Sequence, residues 1–289
     1  MIYLLLSILC STLIFIVFRT YSRYKIDNHS AIVVNYLTAG VLGFIINGKS
    51  ISTTEIIEAP WLINGLILGT LFILIFNVMA LTTQKLGASV SSIASKMALV
   101  IPVIFAVIHY GDALNFLKIG GVIFALAGIY LSTVKPKKVK QAKDKSLYLL
   151  PLALFLGSGF LDTFIKYTQN YHLRANGADD KVFTSTIFLT AFSVGFIYVL
   201  IKKRSTFLQT KNLIGGFILG VINYGSIYFL IQALSLENWE SSVVFPINNM
   251  GIVLLTTLSS ILLFREKLSR VNKIGVFVSL IAILFISLA

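Results

Sequence analysis

The sequence predicts an all-α integral membrane protein with ten transmembrane helices, arranged as two inverted five-helix repeats. Three observations support this: an apolar composition, ten long apolar runs, and a weak similarity between the two halves of the chain. Of the 289 residues, 57% are hydrophobic and 12% are charged, and the mean hydropathy is +0.90. A soluble domain carries about 25% charged residues, so this composition is typical of a chain that faces lipid.

The ten apolar runs have the length of membrane-spanning helices, although the first two are short. A helix needs about 20 residues to cross a hydrocarbon core about 30 Å thick. Runs such as 66–76 do not alternate apolar with polar residues, as the strands of a membrane barrel do. The predicted spans are 2–18, 31–47, 61–82, 88–108, 114–134, 147–168, 182–201, 212–236, 240–263 and 270–288.

The positive charge of the chain is interpreted as a topology signal. A formal net charge of +13 would favour nucleic acid as a partner in a soluble protein. Here the Lys and Arg residues lie mostly in short segments between the apolar runs, where they orient the helices. We therefore expect a lipid bilayer around the chain and no nucleic acid partner. The single cysteine, Cys10, excludes an internal disulfide.

The distribution of Lys and Arg predicts the orientation. The segments that follow runs one, three, five, seven and nine carry eighteen of these residues, and those on the opposite face carry four. The richer face is expected in the cytoplasm. We expect a multi-pass protein of the bacterial plasma membrane, with loop 135–146 in the cytoplasm and both termini outside. The first run lacks the basic leader of a signal peptide and is expected to stay as a helix.

The halves of the chain resemble each other at a shift of 153 to 154 residues, and more weakly near 147 at the front of each copy. The sequence then divides into a first repeat over 1–134, a basic linker over 135–146 and a second repeat over 147–289. Because five helices is an odd number, the second copy enters the membrane upside down, a plan that recurs in secondary transporters. The corresponding positions include 80–81 with 233–234, Ser89 with Ser242, Gly121 with Gly275, and Arg19 with Lys166.

The end of each repeat carries a recognisable motif. Residues 264–268 read Phe-Arg-Glu-Lys-Leu, followed by Gly275 and a last apolar run. The first copy reads Tyr-Gly-Asp-Ala-Leu at 110–114, with Asp112 in place of the Glu. With ten spans and an internal repeat, the chain resembles the EamA-type members of the drug/metabolite transporter superfamily. The resemblance implies a ten-helix carrier of small solutes, with helices 1–4 and 6–9 around a central cavity. It also implies cytoplasmic termini, opposite to the charge count.

Lys96 is the main candidate for a substrate-pathway residue, because a charge inside the bilayer needs a partner, water or a function. Ser92 lies near it on the same predicted helix, and the repeat pairs Lys96 with Asn249. Snorkelling of Lys96 to the nearer membrane face is the alternative. Asn248 and Asn249 follow Pro246, which is expected to kink its helix, and Pro102 is a second candidate for such a kink.

Asp162 and Lys166 are four residues apart on one helix face, so they form either a self-neutralising pair or a site where Asp162 titrates during transport. Further candidates for the substrate pathway are Asn77, Asn223, Tyr228 and Gln232.

Several classes of function are not expected. The chain has no P-loop, no cluster of His or carboxylates that would suggest an enzyme or a metal site, and no catalytic candidate. No cofactor is expected, although proton coupling is possible. We therefore expect a secondary transporter of a small metabolite that works by alternating access. A lipid flippase and a non-transporting membrane sensor or scaffold are the alternatives.

Overall fold

The computed structural model of the chain is helical, and its described residues contain no strand. These are residues 2–47, 56–111, 115–133, 147, 149–173, 180–202, 204–234 and 241–288. Ten of the helices in these residues are long and apolar enough to cross a membrane, as expected of a multi-pass, all-helical membrane protein. They are α1 (Ile2–Tyr24), α2 (Asn28–Asn47), α3 (Leu62–Leu86), α4 (Ala88–His109), α5 (Phe116–Thr133), α6 (Leu149–His172), α7 (Asp180–Lys202), α8 (Thr210–Leu234), α9 (Ser241–Phe264) and α10 (Arg270–Ser287).

The first two helices are longer than hydropathy predicted. α1 continues six residues past the predicted end at 18, and it stops before Lys25, whose φ of 51° is left-handed. α2 begins at Asn28 because Asp27 caps it: the Asp27 carboxylate accepts hydrogen bonds from the amide and hydroxyl of Ser30, at 2.9 and 2.8 Å. Polar residues at helix ends lower the hydropathy there without ending the helix.

α4 is interrupted in the middle. It runs as an α-helix over Ala88–Met97, resumes over Val100–Phe105 and ends in a π-helical turn over Ala106–Tyr110. Pro102 explains the break, because proline has no amide to donate and its ring crowds the carbonyl four residues earlier, at Ala98. The Ala98 carbonyl accepts instead from the amide of Ile101, at 2.9 Å. By contrast, α9 is helical on both sides of Pro246.

The chain forms two compact units, and each draws residues from both halves of the sequence. Unit 1 contains 1–19, 78–160 and 225–289, and unit 2 contains 20–77 and 161–224. The division of the chain into 1–134 and 147–289 concerns sequence similarity and stays a prediction. The predicted linker, 135–146, lies outside the described residues.

In unit 1, α5 packs closely on α10. Gly121 lies against Ile286, and Gly275 lies against the backbone of Leu131 and Ser132, so the two helices run in opposite directions. A Cβ at Gly275 would lie 2.5 Å from the Ser132 amide nitrogen, which only the absence of a side chain avoids. Small residues of this kind let membrane helices approach each other closely.

In unit 2, α2 packs on α7, also antiparallel. Gly43 lies against Ser185, and Gly195 lies against Val33. The same unit contains Tyr36, a fully buried side chain whose hydroxyl donates to the Phe72 carbonyl at 3.1 Å.

Candidate functional site

A buried hydrogen-bonded group joins α1, α8 and α9 in unit 1. The Ser7 hydroxyl lies 3.0 Å from the Ser226 carbonyl oxygen and 3.1 Å from Oδ1 of Asn248. Ser7 is fully buried and Asn248 is 3% exposed. A polar group buried without a partner costs free energy, and the buried Ser7 hydroxyl has two acceptors within hydrogen-bonding distance.

Lys96, on α4, lies at nearly the same height along the helices of unit 1 as Ser7 and Asn248. The hydroxyls of Ser89 on α4 and Thr257 on α9 are 3.0 Å apart. The start of α4 lies beside the end of α9, because the Ala88 amide donates to Glu266, so the two helices run antiparallel. Ile93 and Met97 lie in the same apolar cluster as Val253, and Met250 packs against that cluster. Lys96 is two helical turns after Ser89, on the same face, and Met250 is two turns before Thr257.

This register brings half-buried Lys96 to the level of Asn249 and Met250 on α9. On the other side of α9, Ser7 marks nearly the same level, because it contacts Asn248. We call Ser7, Lys96, Ser226, Asn248 and Asn249 the polar cluster of unit 1.

The other predicted site residues are divided between the units. In unit 1, Ser92 is buried and its hydroxyl donates to the Ser89 carbonyl at 3.0 Å, while Tyr228 and Gln232 are half-buried on α8. In unit 2, Asn223 is buried and Asp162 is exposed. Their role in a substrate pathway stays a prediction.

Asn77, in unit 2, has a partner that the sequence analysis did not single out. Its Nδ2 donates to the Ile73 carbonyl at 2.7 Å, and its Oδ1 lies 3.2 Å from Nδ1 of His29. The His29 ring packs edge-on against Tyr198, with 4.5 Å between ring centroids. Three helices of unit 2 therefore meet at His29, whose position at a helix end gave no signal in the sequence.

A second charged site lies at one end of unit 1. The Arg19 guanidinium is 3.1 Å from the Glu266 carboxylate, and it also donates to the Thr83 and Gln84 carbonyls. The Gln84 side chain donates back to the Phe18 carbonyl at 3.2 Å. We call this arrangement the Arg19 clasp. Glu266 belongs to the 264–268 motif, which was the only sequence signal that pointed to it.

The Glu266 carboxylate also faces the first turn of α4. It accepts a hydrogen bond from the Ala88 amide at 3.4 Å, next to Gly87, whose φ of 106° is left-handed. A Cβ at Gly87 would lie 2.6 Å from Oε2 of Glu266, so the glycine makes room for the carboxylate. Burial raises the pKa of Glu266 above its ordinary value, and Arg19 and the Ala88 amide oppose that shift.

Among the described residues, no group of three or more His, Cys, Asp or Glu side chains is arranged to hold a metal ion.

Comparison with known proteins gives the fold but no activity. No family model matches the chain. The chain is 28% identical over 291 residues to an uncharacterized protein of Haemophilus influenzae, and the match covers 97% of this chain and 95% of that one. It is also similar to a solved crystal structure, with a TM-score of 0.61 and 13% sequence identity, over 96% of this chain and 97% of that one. At that identity, the similarity is one of fold.

Proposed function

We propose that this chain is a secondary carrier of a small polar or amphipathic metabolite, which works by alternating access between two inverted five-helix halves. The proposal assigns the chain to the EamA type of drug/metabolite transporter. It is supported by the 264–268 motif, by ten apolar helices and by a set of contacts that recur when the halves are exchanged.

The contacts of α3 with α7 have counterparts in those of α8 with α2. Gly69 lies against Thr190 and the Ile187 carbonyl, while Gly220 lies against Thr38 and the Asn35 carbonyl. Gly220 follows Gly69 by 151 residues, and the partners are related by 152. Each of these contacts of the first half with the second therefore has an equivalent in which the halves change roles. This equivalence supports a two-fold relation between the halves, and it is the observation that carries the proposal.

Two further helix pairs favour the same relation. The Gly43–Ser185 contact and the Val33–Gly195 contact are equivalent when the halves are exchanged, because Gly195 follows Gly43 by 152 residues and Ser185 follows Val33 by 152. A shift of 154 likewise converts the contact of Gly121 with Ile286 into that of Ser132 with Gly275. These helix pairs are antiparallel, as expected where inverted copies meet at an axis in the membrane plane.

The polar cluster of unit 1 is the part of the molecule that we assign to the substrate. The two-fold relation pairs Lys96 with Asn249, so both are expected near the axis and near the midplane, where such carriers bind their solutes. We also propose that the chain lies in a bacterial plasma membrane with loop 135–146 in the cytoplasm and both termini outside, as the distribution of Lys and Arg favours.

The test is stabilisation of the purified protein by a panel of metabolites, measured at several pH values for wild type, Lys96→Ala and Lys85→Ala. Lys85 is exposed at the end of α3 and is a matched control for the loss of a charge. We expect one chemical class to raise the unfolding temperature of wild type and Lys85→Ala but not of Lys96→Ala. Equal stabilisation of all three proteins would remove Lys96 from the site, and no stabilisation by any metabolite would favour a lipid substrate.

A further inference from the structure

We propose that a buried polar stripe along α1 and α9 is the route by which the solute passes between the polar cluster of unit 1 and the Arg19 clasp. The polar stripe consists of Thr12 on α1 and of Asn249, Thr256 and Ser260 on α9. As a route for a metabolite, it rests on the proposed carrier function. As a hydrated line of hydroxyls through apolar packing, it rests on the contacts of unit 1 alone.

The α9 part of the polar stripe follows one face of the helix. Thr256 comes seven residues after Asn249, and Ser260 comes four residues after Thr256, which are spacings of about two turns and one turn. Thr256 and Ser260 are fully buried. The stripe begins in the polar cluster and ends beside the Arg19 clasp, because the Glu266 amide donates to the Ser260 carbonyl at 3.0 Å.

The Thr256 side chain is directed into the interior of unit 1. Its neighbour Leu255 packs against the apolar cluster that contains Ile8 of α1. Its other neighbour, Thr257, contacts Ser89 of α4. Because a helix turns by about 100° per residue, Thr256 lies between these two faces, in the space among α1, α4 and α9.

Thr12 lies at nearly the same height on α1. The two helices run in the same direction, because Ile8 contacts Gly251 and both helices lead to the clasp at Arg19. Thr12 comes four residues after Ile8, on the same face of α1. Thr256 comes five residues after Gly251, so the two threonines are nearly level with each other.

The hydroxyls of Thr12 and Thr256 indicate that the polar stripe binds a polar molecule. Among the described residues neither hydroxyl has a hydrogen-bond partner, although the two threonines are only 4% and 0% exposed. A helical threonine can donate to the carbonyl one turn earlier, as Thr82 and Thr83 of the same unit do at 2.7 and 2.8 Å. Since buried polar groups almost always have a partner, we infer that the partner of the two stripe hydroxyls is a solute or water.

The chemistry of the polar stripe favours a solute that carries hydroxyl or amide groups. A threonine or serine hydroxyl both donates and accepts, so it can bond such groups in either sense, and water when no solute is present. α9 has no charged residue from Asn249 to Ser260. Neutral hydrogen bonds at successive turns let a polar group move along the stripe without being held at one point, as conduction requires.

The experiment compares the access of water to two positions at similar depth. In a Cys10→Ser background, Thr256→Cys places a thiol on the polar stripe, and Val253→Cys places one in the apolar cluster on another face of α9. Both native residues are fully buried. The reconstituted protein is treated with sulfonatoethyl methanethiosulfonate, an anionic reagent that does not cross lipid, on both sides of the membrane. Each rate is divided by that of Lys85→Cys, an exposed position.

We expect Thr256→Cys to react at least an order of magnitude faster than Val253→Cys. Equal rates would overturn the proposal, because a general opening of unit 1 exposes both thiols and a dry stripe exposes neither. Circular dichroism and gel filtration confirm that each variant is folded, and thiol titration after denaturation confirms that each cysteine is intact.

Thr256→Val tests whether the hydroxyl itself takes part in transport. Valine keeps the shape of threonine and removes the hydroxyl, so a hydroxyl that is merely unpaired predicts an equal or higher unfolding temperature and unchanged transport. We expect instead that metabolites leave proteoliposomes loaded with a bacterial small-molecule extract several-fold more slowly. Unchanged release from folded Thr256→Val would overturn the route.

The outcomes separate this inference from the carrier function. Equal labelling of Thr256→Cys and Val253→Cys in a protein that transports a metabolite would remove the route and keep the carrier. Faster labelling of Thr256→Cys in a protein that transports nothing would keep the hydrated stripe and overturn both the carrier and the route.

Discussion

Arg19 and Glu266 lie 247 residues apart in the chain, yet their side chains form an ion pair with 3.1 Å between Nε and Oε1. Both are largely buried, since the side chains are 26% and 11% exposed. Removing one partner of such a pair leaves the other charge uncompensated, whereas replacing both partners together is often neutral.

Replacing Arg19 and replacing Glu266 should therefore lower the free energy of unfolding by different amounts. At neutral pH, Arg19→Gln should lower the free energy of unfolding by about 1–3 kcal/mol, because Glu266 stays buried with weaker compensation. Glu266→Gln should cost less, about 1 kcal/mol or below, because the Arg19 guanidinium left behind is 26% exposed and keeps its bonds to the Thr83 and Gln84 carbonyls. A double-mutant cycle by chemical denaturation in detergent measures both, and the double variant should recover much of the loss. Equal, additive losses would contradict this view of the pair.

Stability should also depend on pH through Glu266. Its native pKa is raised above 4.5, so between the unfolded and native pKa values the native protein binds more protons than the unfolded chain. The contribution of Glu266 is then most favourable at low pH and is lost as the pH rises through the native pKa. Thermal unfolding of wild type and Glu266→Gln across this range measures the difference. If wild type instead becomes more stable relative to Glu266→Gln as the pH rises, the attraction of Arg19 outweighs the effect of burial on the Glu266 pKa.

Close packing of α3 predicts different outcomes for two glycines one turn apart. A Cβ at Gly69 would lie 2.5 Å from the Thr190 Cβ and 2.6 Å from the Ile187 carbonyl oxygen. At Gly65 the nearest atom, on Phe183, would be 3.6 Å away, an ordinary contact. Gly69→Ala should destabilise the protein by about 1–3 kcal/mol, while Gly65→Ala should be neutral or slightly stabilising. Unfolding temperatures test this pair, and similar values for both variants would argue against the packing of α3 on α7.

The Asn272 side chain should stabilise the contact between α5 and α10. It completes a capping box with Ser269, and its Nδ2 donates to the Leu131 and Ser132 carbonyls at 3.1 and 2.9 Å. Asn272→Ala should cost about 2–3 kcal/mol, since it removes both a cap and buried hydrogen bonds.

Asn115 is the matched control, because its side chain accepts a hydrogen bond from the Lys118 amide at the start of α5. Asn115→Ala should cost about 1 kcal/mol, the usual value of a cap. If the two variants unfold at the same temperature, the bonds from Asn272 to α5 contribute nothing.

Hydropathy predicted the ten spans because lipid demands long apolar helices, and the structure confirms them. It did not predict the end of α1, where Arg23 and Tyr24 continue the helix beyond the apolar run. Both Pro246 and Pro102 were predicted to kink their helices, and the described break lies in α4, between Lys96 and Pro102. Proline position is visible in a sequence, but whether neighbouring helices accommodate it is not.

The candidate site was only partly accessible to the same reasoning. Lys96, Asn248 and Asn249 were identified because polar groups in apolar runs are costly and therefore few. Ser7 and Arg19 were missed as site residues, because one is a common helix residue and the other lies near a predicted loop. Their partners are 241 and 247 residues away, a relationship that no local pattern encodes.

Transport by the reconstituted protein tests the central claim most directly. Proteoliposomes are loaded with the small-molecule fraction of a bacterial extract, and the metabolites that leave them are identified by mass spectrometry. Protein-free vesicles and Lys96→Ala vesicles serve as controls. The carrier mechanism predicts that one chemical class leaves faster than from protein-free vesicles and that Lys96→Ala slows its exit. Identical release of every metabolite from all three preparations, with the protein shown to be folded, would contradict it.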